Sequence, residues 1–449
     1  MERRTFLKIM SSAGLVSLVS PAFAAELCKS KAPASAVTPL EATFCNPPFS
    51  SGVYTWWHWM NGNITKDGIT RDLEAMKANG IAGYQLFEAG SGIPVGPVES
   101  LSDEWIELVI HTLKESERLG LEFAMHNCPG WSSSGGPWIT PDKAMQEITW
   151  SETKLTGGKQ IQVQLPVPKH LFNYYRDTYC LAIPAETPII HKSSVIDLTN
   201  LINKDGFLTW DAPTGEWLII RFGQTAKNQK NHSAPTKSTG LDCDKFSTKA
   251  LDYHLDCMFK RLMPTMEKIA KHSKIGLLID SYEMGDQNWT NDMPSYFEKK
   301  RKYPLWTFLP VLAGKIIESE ETSQRFQFDF RRTQADMFAD RYYSHFQKRC
   351  KEKGFITYTE PYGGGMMEEL QIAQRLDINM GEFWCGQTVL WPNFLLNRTV
   401  KQVASIAHTL GGKIVGAEAF TSEPDSDKWL LYPYALKSLG DYMFTRGLN

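Results

Sequence analysis

The sequence predicts an α/β protein built on a TIM-like (β/α)8 barrel, with a β-sandwich-like domain inserted into it. Strand-like and helix-like segments alternate on both sides of a central break, which indicates βαβ units and a parallel sheet. Between residues 146 and 240 the alternation stops, and short strands separated by Gly, Pro and Asp-rich turns replace it. Most strands end in a polar side chain, and the active site of such barrels lies at that edge.

The first part of the barrel is predicted over residues 46–145. Its first helix carries Ile69, Leu73 and Met76 on one face, the spacing of a helix that packs against a sheet. The second helix has Ser102 as its N-cap and Gly120 at its end. In order, the predicted elements are a strand at 53–59, a helix that stops at Asn79-Gly80, a strand at 81–90, the Ser102 helix and a strand at 121–131.

The inserted domain, residues 146–240, shows no convincing helix. Its short alternating strands are predicted at "KQIQVQLPV", "TYCLAIPA", "GFLTWDAP" and "EWLIIRFGQ".

The second part of the barrel, residues 241–449, begins with a helix that Ser247 caps and ends with one more helix. It supplies four strands, at 275–283, 355–363, 377–384 and 413–422, with a long helical stretch at 294–353 and helices in "MMEELQIAQRL" and "KQVASIAHTLGG". These strands bring the total to seven. An eighth is expected beyond Asn449, so the chain is expected to be truncated; a seven-strand variant and an open doubly wound sheet are the alternatives.

The N-terminus predicts export. Residues 1–24 have a basic start, an apolar run and a small-residue end, which is the pattern of a signal peptide. The stretch "RRTFLK" also fits a twin-arginine signal, so the route stays open between the two. Residues 25–45 are rich in Ala, Ser and Pro and are interpreted as a linker. No later stretch is long and apolar enough to span a bilayer, and we expect a periplasmic protein.

Composition excludes some classes of function. The net charge of −2 gives no electrostatic reason to expect nucleic acid or an acidic membrane as partner. The eight cysteines are scattered without a zinc-ligand spacing, which leaves buried thiols or one or two disulfides of unknown pairing. Oligomeric state has no signal in the sequence.

Polar side chains gather at the predicted strand ends. Five of the strands run from apolar residues into a Glu, which predicts an acidic pocket flanked by aromatic rings. The candidates, strand by strand, are His58, Trp59 and Asn61; Glu88; His126, Asn127 and Trp131; Asp280 and Glu283; Glu360; Glu382 and Trp384; Glu418 and Glu423.

Such a pocket suits the cleavage of glycosides. One protonated carboxylic acid donates to the leaving oxygen, and a second carboxylate acts as base or nucleophile. Crowded carboxylates help to keep one of them protonated, and a hard cation would relieve their repulsion. The competing hypothesis is a metal-dependent hydrolase that uses His58 and His126. It is disfavoured because no HxH or HExxH spacing occurs.

Several long motifs resemble glycoside hydrolase family 106, the α-L-rhamnosidases. They occur in family order over most of residues 46–449, and members of the family are usually longer. The motifs are "VYTWWHWMNGNITKDGITRDLEAMKANGIAGYQLFEAG", "HNCPGWSSSGGPW", "GFLTWDAPTGEWLIIRFG", "DSYEMGDQNW", "TEPYGG", "GEFW" and "GAEAFTS".

The resemblance implies an inverting, exo-acting α-L-rhamnosidase of plant-type polysaccharides or glycosides, aided by calcium. Glu283 then looks like the general acid, Glu418 like the general base and Glu382 like a calcium ligand, and the acid and base roles could be exchanged. Asp280 would position Glu283 or help to hold the metal. The remaining candidates for sugar or metal contacts are His58, Asn61, Glu88, His126, Asn127, Trp131, Glu360 and Trp384.

Barrel geometry agrees with this pair, because the fourth and seventh strands face each other across the mouth. Inversion requires about 6.5–9.5 Å between the two carboxyl groups. Loops 91–101, 286–300 and 385–398 are expected to select the linkage. The rival classes are a non-catalytic carbohydrate-binding protein on a degenerate barrel and an inactive truncated fragment.

Overall fold

A computed structural model of the chain describes residues 39–90, 92–132, 134–385, 390–422, 428 and 430–449, with residues 50 and 390–397 described by backbone alone. The predicted signal peptide, most of the predicted linker and Glu423 lie outside the described residues. The described end of the linker forms a short helix, α1 (Pro39–Cys45), with no buried residue.

The first part of the barrel has the predicted order of elements. The Thr65 side chain caps helix α2 (Lys66–Ala78) by accepting from the backbone N–H of Gly68. The Ser102 side chain caps helix α3 (Asp103–Leu119) by accepting from the backbone N–H of Trp105. Gly120 ends α3 in the left-handed conformation, at φ +65°. The elements are β1 (Val53–Met60), α2 (Lys66–Ala78), β2 (Ile81–Ala89), α3 (Asp103–Leu119) and β3 (Glu122–His126).

A β-rich layer follows. Antiparallel pairing builds a four-stranded sheet of order β4-β10-β6-β8 and a two-stranded sheet of β5 and β9. Apolar side chains, including Ile161, Leu208 and Ile219, fill the space between these sheets, so the layer is sandwich-like, as predicted. Its strands are β4 (Gln146–Thr156), β5 (Lys159–Gln164), β6 (Arg176–Pro184), β7 (Ile189–Ile190), β8 (Ile196–Asp197), β9 (Phe207–Ala212) and β10 (Glu216–Ala226).

The second part of the barrel alternates again. Its strands are β11 (Ile275–Ile279), β12 (Ile316–Ile317), β13 (Ile356–Thr359), β14 (Ile378–Cys385) and β15 (Val415–Ser422). Its helices are α4 (Thr248–Phe259), α5 (Met263–Ile269), α6 (Met293–Arg301), α7 (Glu320–Met337), α8 (Ser344–Glu352), α9 (Glu369–Ala373), α10 (Leu390–Leu410) and α11 (Pro433–Arg446).

The predicted helical stretch 294–353 is not one continuous helix in the structure. Helix α6 ends where Lys302 takes a positive φ of +69°, and Pro304 follows. A 3-10 helix (Trp306–Ala313) and β12, which pairs with β7, come before α7. A π-helical turn (Phe338–Tyr343) then joins α7 to α8. Local helix breakers, Pro304 and Gly314, and the pairing of β12 with β7 therefore divide the segment.

The central sheet is a nearly closed parallel barrel. Its order is β1-β2-β3-β11-β13-β14-β15, and no pairing joins the edge strands β1 and β15 within the described part of the chain. The eighth strand stays a prediction. A large core between strands and helices, including Leu73, Val109 and Phe346, fixes the sheet on its outer side. No helix in the described segments is long and apolar enough to cross a bilayer.

Candidate active site

The barrel interior is filled by a layer of side chains below the mouth. Phe87, Ala124, Leu278, Tyr358 and Met380 come from five different strands and contact one another. Because side chains alternate along a strand, polar residues placed two positions further on also point inward, at the C-terminal end of the barrel. These two layers form a packed floor and a polar mouth.

Imidazole rings line one side of the mouth. The Phe87 ring lies between the rings of His58 and His126, with a centroid separation of 5.4 Å to each. His126 Nδ1 lies 2.9 Å from the Cys128 carbonyl oxygen, so Nδ1 carries the proton and donates. Nε2 is then an acceptor, and this buried atom has no hydrogen-bond partner among the described residues. Burial lowers the pKa of His126 to about 4, so the ring is neutral at pH 7.

Carboxylates line the other side. Asp280, Glu360, Glu382 and Glu418 come from or directly follow four adjacent strands, β11, β13, β14 and β15. One oxygen each of Glu360, Glu382 and Glu418 lies within 4.8 Å of the other two. Thr421 donates a hydrogen bond to Glu418, and the Trp384 indole donates one to Glu382. Both Glu360 oxygens and Asp280 Oδ1 are buried without a hydrogen-bond partner within the described ranges.

This crowding alters the protonation of the group. Burial raises the pKa of Asp280 and of Glu360 well above the usual carboxyl range, and charges on neighbouring carboxylates add to the rise. Burial, followed by the charge of Glu382, raises the pKa of Glu418 to about 8. Four acidic groups in such a place need either protons or a cation.

The donor set fits a hard cation. Ca²⁺ takes oxygen ligands at about 2.3–2.6 Å, so two ligand oxygens on one ion lie at most about 5 Å apart. The mutual separations of up to 4.8 Å among Glu360, Glu382 and Glu418 satisfy that limit. Both Glu360 oxygens lack a hydrogen-bond partner within the described ranges, so either is available to such an ion. Glu382, the predicted ligand, thus has two carboxylate neighbours: Glu360, predicted as a sugar or metal contact, and Glu418, predicted as the general base.

Glu283 has a different environment from the buried carboxylates. Its side chain keeps 41% of its surface exposed. Ser281 Oγ donates to Glu283 Oε1 at 3.4 Å, and His232 Nε2 lies 3.8 Å from Glu283 Oε2. Sequence reasoning missed His232 because it follows the inserted strands in a segment without a motif. The backbone of His232 is fixed by Trp131, whose N–H donates to the His232 carbonyl at 3.0 Å.

Glu88 does not lie with this group. Ser100 Oγ donates to its carboxylate at 2.6 Å, and α3 begins three residues after Ser100. Strand alternation puts Glu88 on the opposite side of β2 from Phe87, between the sheet and the helices. Burial raises its pKa to about 7. Both faces of β2 are buried, so its residues show no polar–apolar alternation from which the direction of Glu88 could be predicted.

Two predicted contact residues have structural partners instead. Asn61 adopts a φ of +49° and its side-chain amide donates to the Ile93 carbonyl at 2.7 Å, which fixes the loop after β2. Asn127 is fully buried, donates to the Leu278 carbonyl and accepts from Ser134. Trp131 packs against the interior layer at the mouth, next to the pocket.

Comparison with known proteins shows the family of the chain. The model of the glycoside hydrolase family 106 (alpha-L-rhamnosidase) matches residues 45–179 and 168–449. The chain belongs to glycoside hydrolase family 106. The resemblance drawn from its motifs is confirmed, and a glycosidase barrel accounts for the two-sided polar mouth.

Two relatives show how this family 106 chain compares. The structure of a rhamnosidase from Novosphingobium sp. PP1Y superposes with a TM-score of 0.84 at 25% identity, over 91% of this chain and 55% of that one. A Formosa agariphila protein named "Putative beta-glucuronidase" is 41% identical over 445 residues, covering 92% of this chain and 37% of that protein. This chain therefore spans about half of the one relative and just over a third of the other.

Proposed function

We propose that this chain carries the catalytic site of an exo-acting α-L-rhamnosidase that inverts the anomeric centre. The observation that carries the proposal is the contrast between two carboxylates at one barrel mouth. Glu283 is open to solvent, whereas Glu418 is only half-buried and lies beside two other acids, Glu360 and Glu382. An inverting glycosidase needs two such groups on opposite sides of the sugar.

Their positions suggest the roles. The aglycone of an exo-acting enzyme leaves towards solvent, so the proton donor stands at the open side of the pocket. Glu283 would protonate the glycosidic oxygen as the bond from that oxygen to the anomeric carbon breaks. Glu418 would remove a proton from the water that attacks the opposite face of that carbon. His126 Nε2 would accept a hydrogen bond from a sugar hydroxyl and orient the ring.

Calcium is proposed as the cofactor, held by Glu360, Glu382 and Glu418 with help from Asp280. A bound cation would neutralise the crowded carboxylates and offer open coordination positions to sugar hydroxyls. Glu418 has a place in both proposals, since an ionised Glu418 would give one oxygen to the cation and accept the water proton on the other.

The calcium proposal predicts measurable binding. Titration calorimetry with calcium chloride should show one site per chain, and Glu382→Gln should weaken it by about tenfold or more, because one ligand charge is lost. Asp441→Asn, which changes an exposed acid on α11, is the matched control and should bind like the wild type. Absence of calcium binding to the wild-type chain would contradict the proposal.

A substrate panel tests the reaction itself. We expect release of aryl alcohol from an aryl α-L-rhamnoside and none from the corresponding β-D-glucuronide. The glucuronide is included because the Formosa agariphila relative is named "Putative beta-glucuronidase". NMR of the first product should show β-L-rhamnose, the inverted anomer. Initial release of the α-anomer would contradict inversion. Cleavage of the glucuronide alone would contradict the proposal that the substrate is an α-L-rhamnoside.

We also propose export to the periplasm, on the strength of the basic start, apolar run and small-residue end of residues 1–24. Cell fractionation tests this proposal: the full chain should be found in the periplasmic fraction, and a chain without residues 1–24 should not.

A further inference from the structure

The histidine beside Glu283 comes from the end of the β-rich layer. His232 follows β10 and precedes α4, in the segment where the chain returns to the barrel. Its Nε2 lies 3.8 Å from Glu283 Oε2, and its side chain is 47% exposed. We propose that His232 is a positioning residue for the proton donor: its imidazole N–H holds the Glu283 carboxyl group and stabilises the carboxylate that forms when the proton leaves. This role rests on the proposed function, in which Glu283 is the general acid.

The backbone around His232 is fixed to the loop that follows β3. The N–H of His232 donates to Ser132 Oγ, and the His232 carbonyl accepts from the N–H of Trp131, each at 3.0 Å. The Asn231 side-chain amide donates to the Pro129 carbonyl at 2.9 Å. The imidazole is therefore carried by an anchored segment, which is what a group that must hold another side chain in one orientation requires.

A glycine in the same loop allows this close approach. Gly130 has a φ of +80°, and a Cβ atom at this position would lie 2.5 Å from the His232 carbonyl oxygen. The N–H of Gly130 donates to the Glu88 carbonyl at 2.9 Å, and the N–H of Gly90 donates to the Ser233 carbonyl at 2.7 Å. The loops after β2 and β3 thus place His232 at the C-terminal end of the barrel, where the mouth lies.

The charge that forms on Glu283 is surrounded by other acids. After burial, the charge of Glu283 is one of the causes that raise the pKa values of Asp280, Glu382 and Glu418. Within the described part of the chain, His232 is the only basic side chain that pairs with Glu283. A hydrogen bond from the imidazole offsets the repulsion, and it strengthens during proton transfer because a charged acceptor binds a donor more tightly.

The two oxygens of Glu283 have separate contacts. Ser281 Oγ donates to Oε1 at 3.4 Å, and His232 faces Oε2. A movement of about 1 Å brings His232 Nε2 into hydrogen-bond range of Oε2, and catalytic hydrogen bonds are often long until substrate binds. As the bond to the anomeric carbon breaks, the proton of Glu283 passes to the leaving oxygen. The imidazole keeps its own proton throughout.

Hydrolysis of two aryl α-L-rhamnosides that differ in the leaving phenol tests this role. A para-nitrophenol leaves with little protonation, whereas a para-methoxyphenol depends on the acid. His232→Ala should lower kcat on the para-methoxy substrate by about 10–100-fold, the contribution of a hydrogen bond to a charged group, and on the para-nitro substrate by less than about threefold. KM should stay close to the wild-type value on both, since no sugar contact is removed.

Three further variants identify the cause. His232→Gln keeps an N–H donor at a similar reach and should recover most of kcat on the para-methoxy substrate. His272→Ala removes the imidazole from an exposed pair with Glu117, before β11 at the other end of the barrel; it is the matched control and should keep wild-type kinetics. Added to Glu283→Gln, His232→Ala should have little further effect, because His232 acts through Glu283.

Three results would overturn the role of His232: equal loss of kcat on both phenols in His232→Ala, no loss on either, or a full additional loss in the Glu283→Gln background. Equal loss is what a merely structural contact would give. Failure of the proposed function has a different pattern. The wild type would then hydrolyse neither substrate, or Glu283→Gln would keep wild-type kinetics on the para-methoxy substrate, and the role of His232 would be overturned with it.

Discussion

Glu418→Gln and Glu283→Gln are each expected to lower kcat on a rhamnosyl polysaccharide by about 10²–10⁴-fold, the usual contribution of a general acid or base. The two variants should differ on an aryl α-L-rhamnoside with an activated phenol. That leaving group needs little protonation, so loss of the proton donor should matter less. Glu283→Gln should therefore recover much of its activity on the activated substrate, whereas Glu418→Gln should stay impaired on both. Steady-state kinetics on the two substrates measure the contrast.

The control is Glu99→Gln, an exposed acid 3.8 Å from Lys237 in the loop before α3, and it should keep normal kinetics. If Glu418→Gln is the variant that recovers, the acid and base roles are exchanged. Near-normal kcat on the polysaccharide in either variant would remove that residue from the mechanism.

Lys245→Ala is expected to destabilise the protein by about 3–5 kcal/mol, the cost of leaving one member of a buried ion pair alone. Lys245 and Asp242 form an ion pair in which neither side chain is exposed, and Lys245 Nζ also donates to the Cys243 carbonyl at 2.9 Å. Burial lowers the pKa of Lys245 well below its ordinary value, and removal of its amino group leaves the buried Asp242 carboxyl without that hydrogen-bond donor. Chemical denaturation of the two proteins measures the difference in the free energy of unfolding.

Two further variants isolate the cause. Lys437→Ala breaks an exposed pair with Asp441 and should change stability by less than about 0.5 kcal/mol. The double change Lys245→Met and Asp242→Leu removes both charges, so it should cost less than Lys245→Ala alone. A Lys245→Ala protein as stable as Lys437→Ala would contradict the structural role of the pair.

The buried pair also concerns the active site. The adjacent Asp244 accepts hydrogen bonds from Gln287 and Thr290, and the backbone N–H of Lys245 donates to Gln287. Both partners belong to the loop that follows Glu283. Disorder at Lys245 would thus be transmitted to the segment that presents the proposed proton donor.

Sequence reasoning succeeded where local signals were strong. Caps at Ser102 and Ser247 and the apolar spacing around Leu73 are decided within one helical turn, and the structure has these helices. The parallel barrel followed from the strand–helix alternation, because right-handed crossovers leave few other arrangements. The long β4 was missed because its outer half alternates between exposed and half-buried side chains and carries little apolar signal.

The family, the order of the strands and the acidic character of their ends could be predicted from the amino-acid sequence alone. Those properties are written in contiguous motifs and in the period of apolar residues. Three features required the folded structure: Glu88 faces the helices, Glu360 and Glu418 lie beside Glu382, and His232 lies next to Glu283. The physical reason is that both faces of a barrel strand are buried, so composition does not reveal direction. Proximity between residues on different strands is set by how the strands pack around the barrel, which no short stretch of sequence encodes.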